Sequence, residues 1–304
     1  MACKSCKKKP VIRLSNSNVD LCKKHFLEYF QKKVFKTIRQ YNLINEGDHI
    51  GVAVSGGKDS LTLLYLMSLF LEKRRKIKLT AILVDEGIDG YRDLTIKDAK
   101  KWCNELNIPL KIFSYKKEIG KKLDDILKET KEKSCSICGV FRRYLLNKSA
   151  RELKIDKLAT GHNLDDEVQS IVMNQLKNQI KISARLGPIT GVKEDKRFVR
   201  RIKPLYFLTE KEVMTYAYLK GLTSKFNECP HSNDSFRGYV MDWINHLEEK
   251  FPGSKHAILN SFLEIMPLLK KDFEVGEIKE CKECGEPCSG DICQKCNIVK
   301  RILK

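Results

Sequence analysis

Ile50-Gly-Val-Ala-Val-Ser-Gly-Gly-Lys-Asp-Ser60 decides how the rest of the chain is read. Its apolar run from Ile50 to Val54 predicts a buried strand, and Ser55 to Gly57 a tight turn. From Asp59 an apolar run through Leu61, Leu63, Leu64, Leu66 and Met67 is too long for one strand and predicts a helix. Strand, turn and helix in that order aim backbone N–H groups and a positive helix end at a phosphate. Gly56 and Gly57 let the backbone approach closely, and Lys58 adds a charge. A Walker A loop is excluded, because that pattern needs glycine where Val52 stands and Ser or Thr where Asp59 stands. The bland alternative is an ordinary strand-to-helix turn holding two glycines.

Working outward, Leu79 to Asp85, Leu110 to Tyr115 and Lys157 to Gly161 predict three further strands. Residues 91–107 and a stretch opening at Asp165-Asp-Glu167 predict helices between and after them. Strands alternating with helices imply a doubly wound parallel α/β sheet covered on both faces. Ligands bind such sheets at the carboxyl ends of the strands, which puts Ser55, Asp85 and Gly161 along one edge. Upstream, Phe26, Leu27, Phe30, Val34, Ile38 and Tyr41 have the period of an amphipathic helix. Downstream, residues 180–203 predict a basic loop, and Thr209-x-x-Glu212 a capping box opening a helix to Lys220. Helical stretches at about 234–250 and 254–271 follow, facing either the sheet or a partner. Asp165, Asp166 and Glu167 suit the positive end of their helix; a carboxylate pair beside a triphosphate also suits Mg²⁺.

The chain has 304 residues, 42% of them apolar, and no unbroken 18-residue apolar segment, so a membrane span is not expected. No apolar h-region follows Met1, so no secretory signal is predicted. Lys and Arg number 58 against 39 acids, a net charge of +19. They come in runs (Lys7–Lys9, Lys73–Lys76, and Arg197, Arg200, Arg201 and Lys203), the footprint of a nucleic-acid partner. Twelve cysteines in an unsecreted chain point to metal rather than disulfides. Cys3-x2-Cys6 and Cys22-x2-His25 make one closed tetrahedral zinc set, and Cys281-x2-Cys284 with Cys293-x2-Cys296 a second. Cys288 is a spare thiol inside the second loop, and Cys103 a buried one. Flanking lysines at Lys279, Lys282, Lys295, Lys300 and Lys304 lean toward RNA. Cys135-x2-Cys138 has no second pair nearby; Cys229, in Glu228-Cys-Pro-His-Ser232, is the one leftover cysteine in a suggestive context. Three thiolates would hold three corners of a cubane and leave one metal open. A redox pair plus an unrelated Cys229 is the equal alternative.

Ser55-Gly-Gly-Lys-Asp-Ser60, the two four-ligand sets, Cys135-x2-Cys138, Gly161-His-Asn-Leu-Asp-Asp166 and Glu228-Cys-Pro230 occur here together and in order. The chain so resembles, over essentially its whole length, the tRNA 2-thiouridine synthetases of the TtuA/NcsA type, PP-loop ATP pyrophosphatases related to TtcA. The resemblance implies a [4Fe–4S] cluster on Cys135, Cys138 and Cys229 with one iron free for sulfide. It also implies ATP contacts at Ala53, Asp59, Val84 and Gly161 beside the loop residues Ser55, Gly56, Gly57, Lys58 and Ser60, with Asp59 and Asp166 as catalytic carboxylates. A segment 1–27 and a ribbon 276–304, each with Zn²⁺, would flank a catalytic domain 28–275. A homodimer in the cytoplasm, with tRNA as substrate and sulfide or a thiocarboxylated ubiquitin-like protein as sulfur donor, completes the expectation. Members acting on the tRNA T-loop carry a catalytic lysine four residues after the second cluster cysteine; this chain has Arg142. Arginine does not readily serve as a base, so its expected task is charge stabilisation, and the run Cys138-Gly-Val-Phe-Arg-Arg143 looks more like the wobble-uridine branch. T-loop thiolation, an amide-forming PP-loop ligase, and a zinc-ribbon RNA-binding or redox-sensing protein without catalysis are the other readings.

Overall fold

β1 (Ile12–Leu14) and β2 (Val19–Leu21) form an antiparallel hairpin between the two halves of the N-terminal Cys/His set. The computed structural model describes residues 2–72, 74, 76–192, 195, 197–223, 229–231, 236–272, 276 and 278–302. Lys73, Arg75, Glu228, Ser232 and Lys304, all used above, lie outside the described residues. The amphipathic helix α1 (Lys23–Gln40) then delivers the chain to β3 (His49–Ala53), α2 (Lys58–Leu71), β4 (Lys78–Asp85), α3 (Arg92–Glu105) and β5 (Leu110–Ser114). Tyr115 does not end that strand. The Ser114 hydroxyl accepts from the Lys117 N–H and so caps a short helix, α4 (Tyr115–Ile119). α5 (Leu123–Lys128) and α6 (Ser134–Glu152) lead to β6 (Lys157–Ala159) and α7 (Leu164–Leu176).

The expected basic loop at 180–203 is corrected by the structure. It contains α8 (Ile180–Ser183) and a fifth sheet strand, β7 (Arg200–Ile202). Arg-Arg-Ile offers one apolar residue, Ile202, which is buried at the sheet edge, so hydrophobic patterning could not reveal it. α9 (Glu210–Lys220) carries the complete capping box of Thr209 and Glu212. α10 (Phe236–Lys250), α11 (Ser254–Lys271), the β8–β9 hairpin (Lys279–Glu280, Pro287–Cys288) and α12 (Gln294–Ile302) end the chain.

The sheet runs β5-β4-β3-β6-β7 with every pair parallel. From β3 the chain winds out through β4 to β5, then returns to the other side of β3 for β6. The switch point therefore lies between β3 and β6, where ligands of such sheets bind. On one face Ile50 and Val52 share a core with Val34 and Ile38 of α1, Leu63 and Met67 of α2, Cys103 of α3 and Tyr216 of α9. The β1–β2 hairpin joins this core through Ile12, Leu14 and Leu21. On the other face Ile82 and Leu158 pack with Phe141 and Leu145 of α6 and with Ile298 and Ile302 of α12. α10 and α11 pack on α7, where Val168 and Ile171 meet Val240, Ile244, Leu259 and Phe262. Among the described residues no helix is long and apolar enough to cross a membrane.

Candidate active site and metal sites

Between β3 and α2 the loop is locked by small groups. The Ser60 hydroxyl accepts from the Ser55 N–H and the Ser55 hydroxyl, each at 3.1 Å, and donates to the Gly57 carbonyl at 2.9 Å. Gly56 has φ +84°, and a Cβ there would lie 2.1 Å from the Thr95 carbonyl oxygen, so only glycine fits against α3. Gly57 caps α2 without any side chain, leaving the first-turn N–H groups open to an anion. Lys58 Nζ donates to Asp59 at 3.1 Å and to Glu210, the first residue of α9, at 2.9 Å. Burial works against this ammonium, but the two carboxylates hold it above its ordinary pKa. Burial likewise pushes Asp59 up despite Lys58.

Gly161 and Asn163 bring the β6–α7 turn onto the same loop. A Cβ at Gly161 would sit 3.1 Å from the Asp59 carbonyl carbon and the Ser60 nitrogen, and Asn163 donates to Asp59 at 3.2 Å. Asn163 also caps α7, with Asp166 closing the capping box on the Asn163 N–H at 3.1 Å. The other oxygen of Asp166 lies 3.4 Å from Arg237 of α10. Desolvation, only partly offset by Asn163 and Arg237, pushes Asp166 up to about 6. Asp165 is different: buried, it pairs with Lys255 and accepts from the Glu210 N–H at 2.8 Å. His162 is exposed at this turn, its Nδ1 2.9 Å from the Thr160 hydroxyl; what desolvation it has and then the charges of Lys203, Arg201, Arg237 and Arg142 lower its pKa. Ala53 ends β3 at this cleft, and the Val84 carbonyl is taken by an Arg92 guanidinium N–H.

Cys135 and Cys138 lie on the first turns of α6, and the Cys229–His231 segment crosses beside them. Both Ser134 Oγ and Cys135 Sγ donate to the His231 carbonyl, at 3.2 and 3.5 Å, while Tyr115 OH donates to the Cys138 carbonyl at 2.8 Å. Burial raises the thiols of Cys138 and Cys229. The three cysteines thus share one neighbourhood, close enough for their charges to act on one another. The donor set, three thiols and no carboxylate, suits an iron–sulfur cluster with one open iron.

Among the described residues, two sets of four ligand atoms gather within 4.8 Å of one another: Cys3, Cys6, Cys22 and His25, and Cys281, Cys284, Cys293 and Cys296. Cys3 and Cys22 each lie 3.4 Å from His25 Nδ1, Cys6 lies 3.5 Å from Cys22, and Cys284 lies 3.6 Å from Cys293. A tetrahedron with Zn–S bonds near 2.3 Å has edges of about 3.8 Å, so both sets fit zinc. Cys293 and Cys281 also accept N–H bonds, from Cys296 at 3.4 Å and Cys293 at 3.2 Å, as thiolates at such knuckles do. Cys288 stands apart, its thiol donating to the Gly290 carbonyl at 2.9 Å.

Sequence reading missed the pair that ties the phosphate loop to α6. Glu86 and Arg92 are 3% and 4% exposed and 2.7 Å apart. Arg92 donates to the Ser55 carbonyl at 2.8 Å, and Arg142 approaches Glu86 at 3.9 Å. The only hint was an acid at the carboxyl end of a buried strand, in Asp85-Glu-Gly87.

Residues 26–242 match the model of a PP-loop domain. The chain is 34% identical over 320 residues to the tRNA 2-thiolation protein NcsA of Haloferax volcanii, covering 99% of each. It is 37% identical to the tRNA-5-methyluridine(54) 2-sulfurtransferase of Pyrococcus horikoshii, over 97% of this chain and 93% of that one. Among solved structures it is similar to the U34-tRNA thiolase NcsA of Methanococcus maripaludis with its [4Fe–4S] cluster. That match has a TM-score of 0.84 and 35% identity, over 99% of this chain and 96% of the other.

Proposed function

This chain belongs to the PP-loop family of tRNA 2-thiolation enzymes, and we propose that it thiolates the wobble uridine of tRNA at C2, using ATP. One observation carries the reading: Glu86, held by Arg92 and faced by Arg142, joins the phosphate loop to the Cys135/Cys138 turn. An activating site and a sulfur site have to share one substrate carbon, and this bridge supports reading the two as one continuous site. The choice of the wobble position over the T-loop rests on Arg142, which stands where T-loop enzymes carry a lysine. It is also supported by the likeness to the U34 thiolase.

A uridine C2 oxygen is a poor leaving group. Transfer of AMP to that oxygen, with release of pyrophosphate, makes it displaceable; sulfur then bonds to C2 as AMP departs. The N–H groups after Gly57 and the Lys58 ammonium hold the phosphates and offset charge on the leaving pyrophosphate. To reach them, Lys58 exchanges its bond to Glu210 or Asp59 for a phosphate oxygen. Asp59 and Asp166 suit Mg²⁺ together with phosphate oxygens. Arg142, fixed in charge, stabilises negative charge between the two sites and does not move a proton. Cys135, Cys138 and Cys229 would hold a [4Fe–4S] cluster, which supplies an open iron for sulfide. The segments 1–27 and 276–304 each hold a zinc ion as structural staples around the catalytic region 28–275. Sulfide or a thiocarboxylated ubiquitin-like protein serves as donor, and the working form is a homodimer.

Product analysis with anaerobically reconstituted protein tests this. AMP and pyrophosphate should appear, and nucleoside mass spectrometry should find 2-thiouridine at position 34. Lys58→Ala and Asp59→Ala should abolish both products while keeping the visible absorption of the cluster. ADP and phosphate as products would refute adenylylation, and thiolation at position 54 would refute the wobble assignment.

A further inference from the structure

We infer that Arg143 and Arg201, beside Arg142, form a binding site for a phosphodiester group of the tRNA strand carrying the target uridine. The inference rests on the thiolation reading and names one contact of its substrate. Arg142 and Arg143 follow Cys138 by about one turn of α6, and Arg201 lies on the edge strand β7. Alternation along that strand turns Arg201 and Arg200 to opposite faces, and Arg200 acts on Lys270 of α11. Arg201 Nη2 reaches the Arg143 carbonyl at 3.5 Å. The Arg143 guanidinium in turn folds back along its own helix: a Cβ at Gly139 would lie 3.1 Å from its Nη1. Arg201 thus reaches the backbone of α6 at Arg143, while the Arg143 side chain lies along the turn of α6 that carries Gly139, next to Cys138.

Among the described residues neither Arg143 nor Arg201 has a carboxylate within ion-pair distance. Glu86 lies 3.9 Å from Arg142 but is already held by Arg92 at 2.7 Å. Arg142 and Arg143 are exposed and Arg201 is half-buried, and like charges on one stretch of surface repel unless an anion joins them. In keeping with this, desolvation and then Arg143 and Arg142 bring Arg201 down to about 10. Guanidinium forks match phosphate oxygens in pairs, and a chain of net charge +19 favours a polyanion. The phosphates of ATP have their own cradle at Gly56, Gly57 and Lys58, so this is a second anion site, fit for RNA.

The test compares Arg143→Gln, Arg201→Gln and Arg201→Lys in full-length protein loaded with its metals. Affinity for a tRNA transcript is measured across salt, ATP affinity by calorimetry, and folding by melting temperature and zinc content. Each glutamine variant should bind tRNA about tenfold more weakly and lower the slope of log K on log salt by about 1. Arg201→Lys should keep the slope, and ATP affinity and melting should not change. Unaltered tRNA affinity and slope in both glutamine variants would overturn the site. So would weakened ATP binding with tRNA binding intact, which would assign the anion to the nucleotide. If the wild type thiolates tRNA while the glutamine variants bind it normally, this contact fails alone. If the wild type binds tRNA with the predicted variant slopes yet forms no AMP, the thiolation reading fails and the contact stands.

Discussion

Asp165 and Asp166 are neighbours in sequence that their surroundings set to different tasks. Lys255 and the Glu210 N–H neutralise Asp165 inside the protein, where it fixes α11 and the start of α9. Asp166 faces the phosphate loop across Asn163, and desolvation pushes it up to about 6. The sign can be worked through for both readouts. A carboxyl whose folded pKa is raised stabilises the fold fully below its unfolded value near 3.9. That contribution is lost as pH rises through about 6. In its proposed role beside the phosphates Asp166 acts ionised, so activity should move the other way and fall as pH drops through the same value. Asp166→Asn should remove the pH-dependent loss of stability and leave a weak, flat activity profile between about pH 5 and about pH 7. Melting temperature and AMP formation, each measured against pH, check the two halves. An unchanged acid limb in Asp166→Asn would assign it to another group.

At the scale of elements, the phosphate loop depends on how closely α3 crosses it. Gly56→Ala places a methyl against the Thr95 carbonyl and demands positive φ from a residue with a Cβ. The left-handed strain alone costs about 1–3 kcal/mol, and α3 must also shift. Melting temperature and ATP affinity should both fall. Gly57→Ala meets nothing closer than the Ser55 hydroxyl at 3.5 Å, so it should melt near the wild type. Equal losses in the two variants would deny the crossing its importance. Elements of this kind were legible because parallel strands buried on both faces are written as continuous apolar runs, as in Leu79 to Val84. The edge strand β7 was not, since two of its three residues are arginines. Nor was the destination of α10 and α11, because an apolar stripe does not name what it packs on. The cysteine spacings were plain, as metal ligands pair locally. The Glu86–Arg92 link was hidden, since a buried ion pair is a product of tertiary folding.

Across the whole molecule, the two candidate zinc sets are built into packed segments near both ends of the chain. The C-terminal Cys281 set is continuous with α12, whose Ile298 and Ile302 are buried with Phe141 and Leu145 of α6. Arg301 pairs with Glu132 at 2.9 Å, and Lys295 lies 4.8 Å from the centre of the Tyr144 ring. With the proposed zinc bound, so small a segment would gain its order from the metal, and α12 would lose its anchor when the knuckle opens. Cys281→Ala should therefore lower zinc from about two ions per chain to about one and depress the melting temperature. Activity should fall only as far as folding does. Cys135, Cys138 and Cys229 sit on the opposite side of that division, half-buried or exposed at the start of α6 and in the segment beside it. Replacing any of them by Ala should remove iron and visible absorption and stop thiolation, yet leave zinc, melting temperature and tRNA affinity as they were. Iron, zinc and thiouridine, assayed together after anaerobic reconstitution, decide between these two classes of cysteine. Full thiolation by an iron-free Cys229→Ala protein would refute the cluster's part in sulfur delivery. Sulfur would then have to be passed as sulfane sulfur from a persulfide-type donor to Cys135 or Cys138, with the two cysteines closing to a disulfide as the sulfur leaves for C2, and the pair would be a redox site after all.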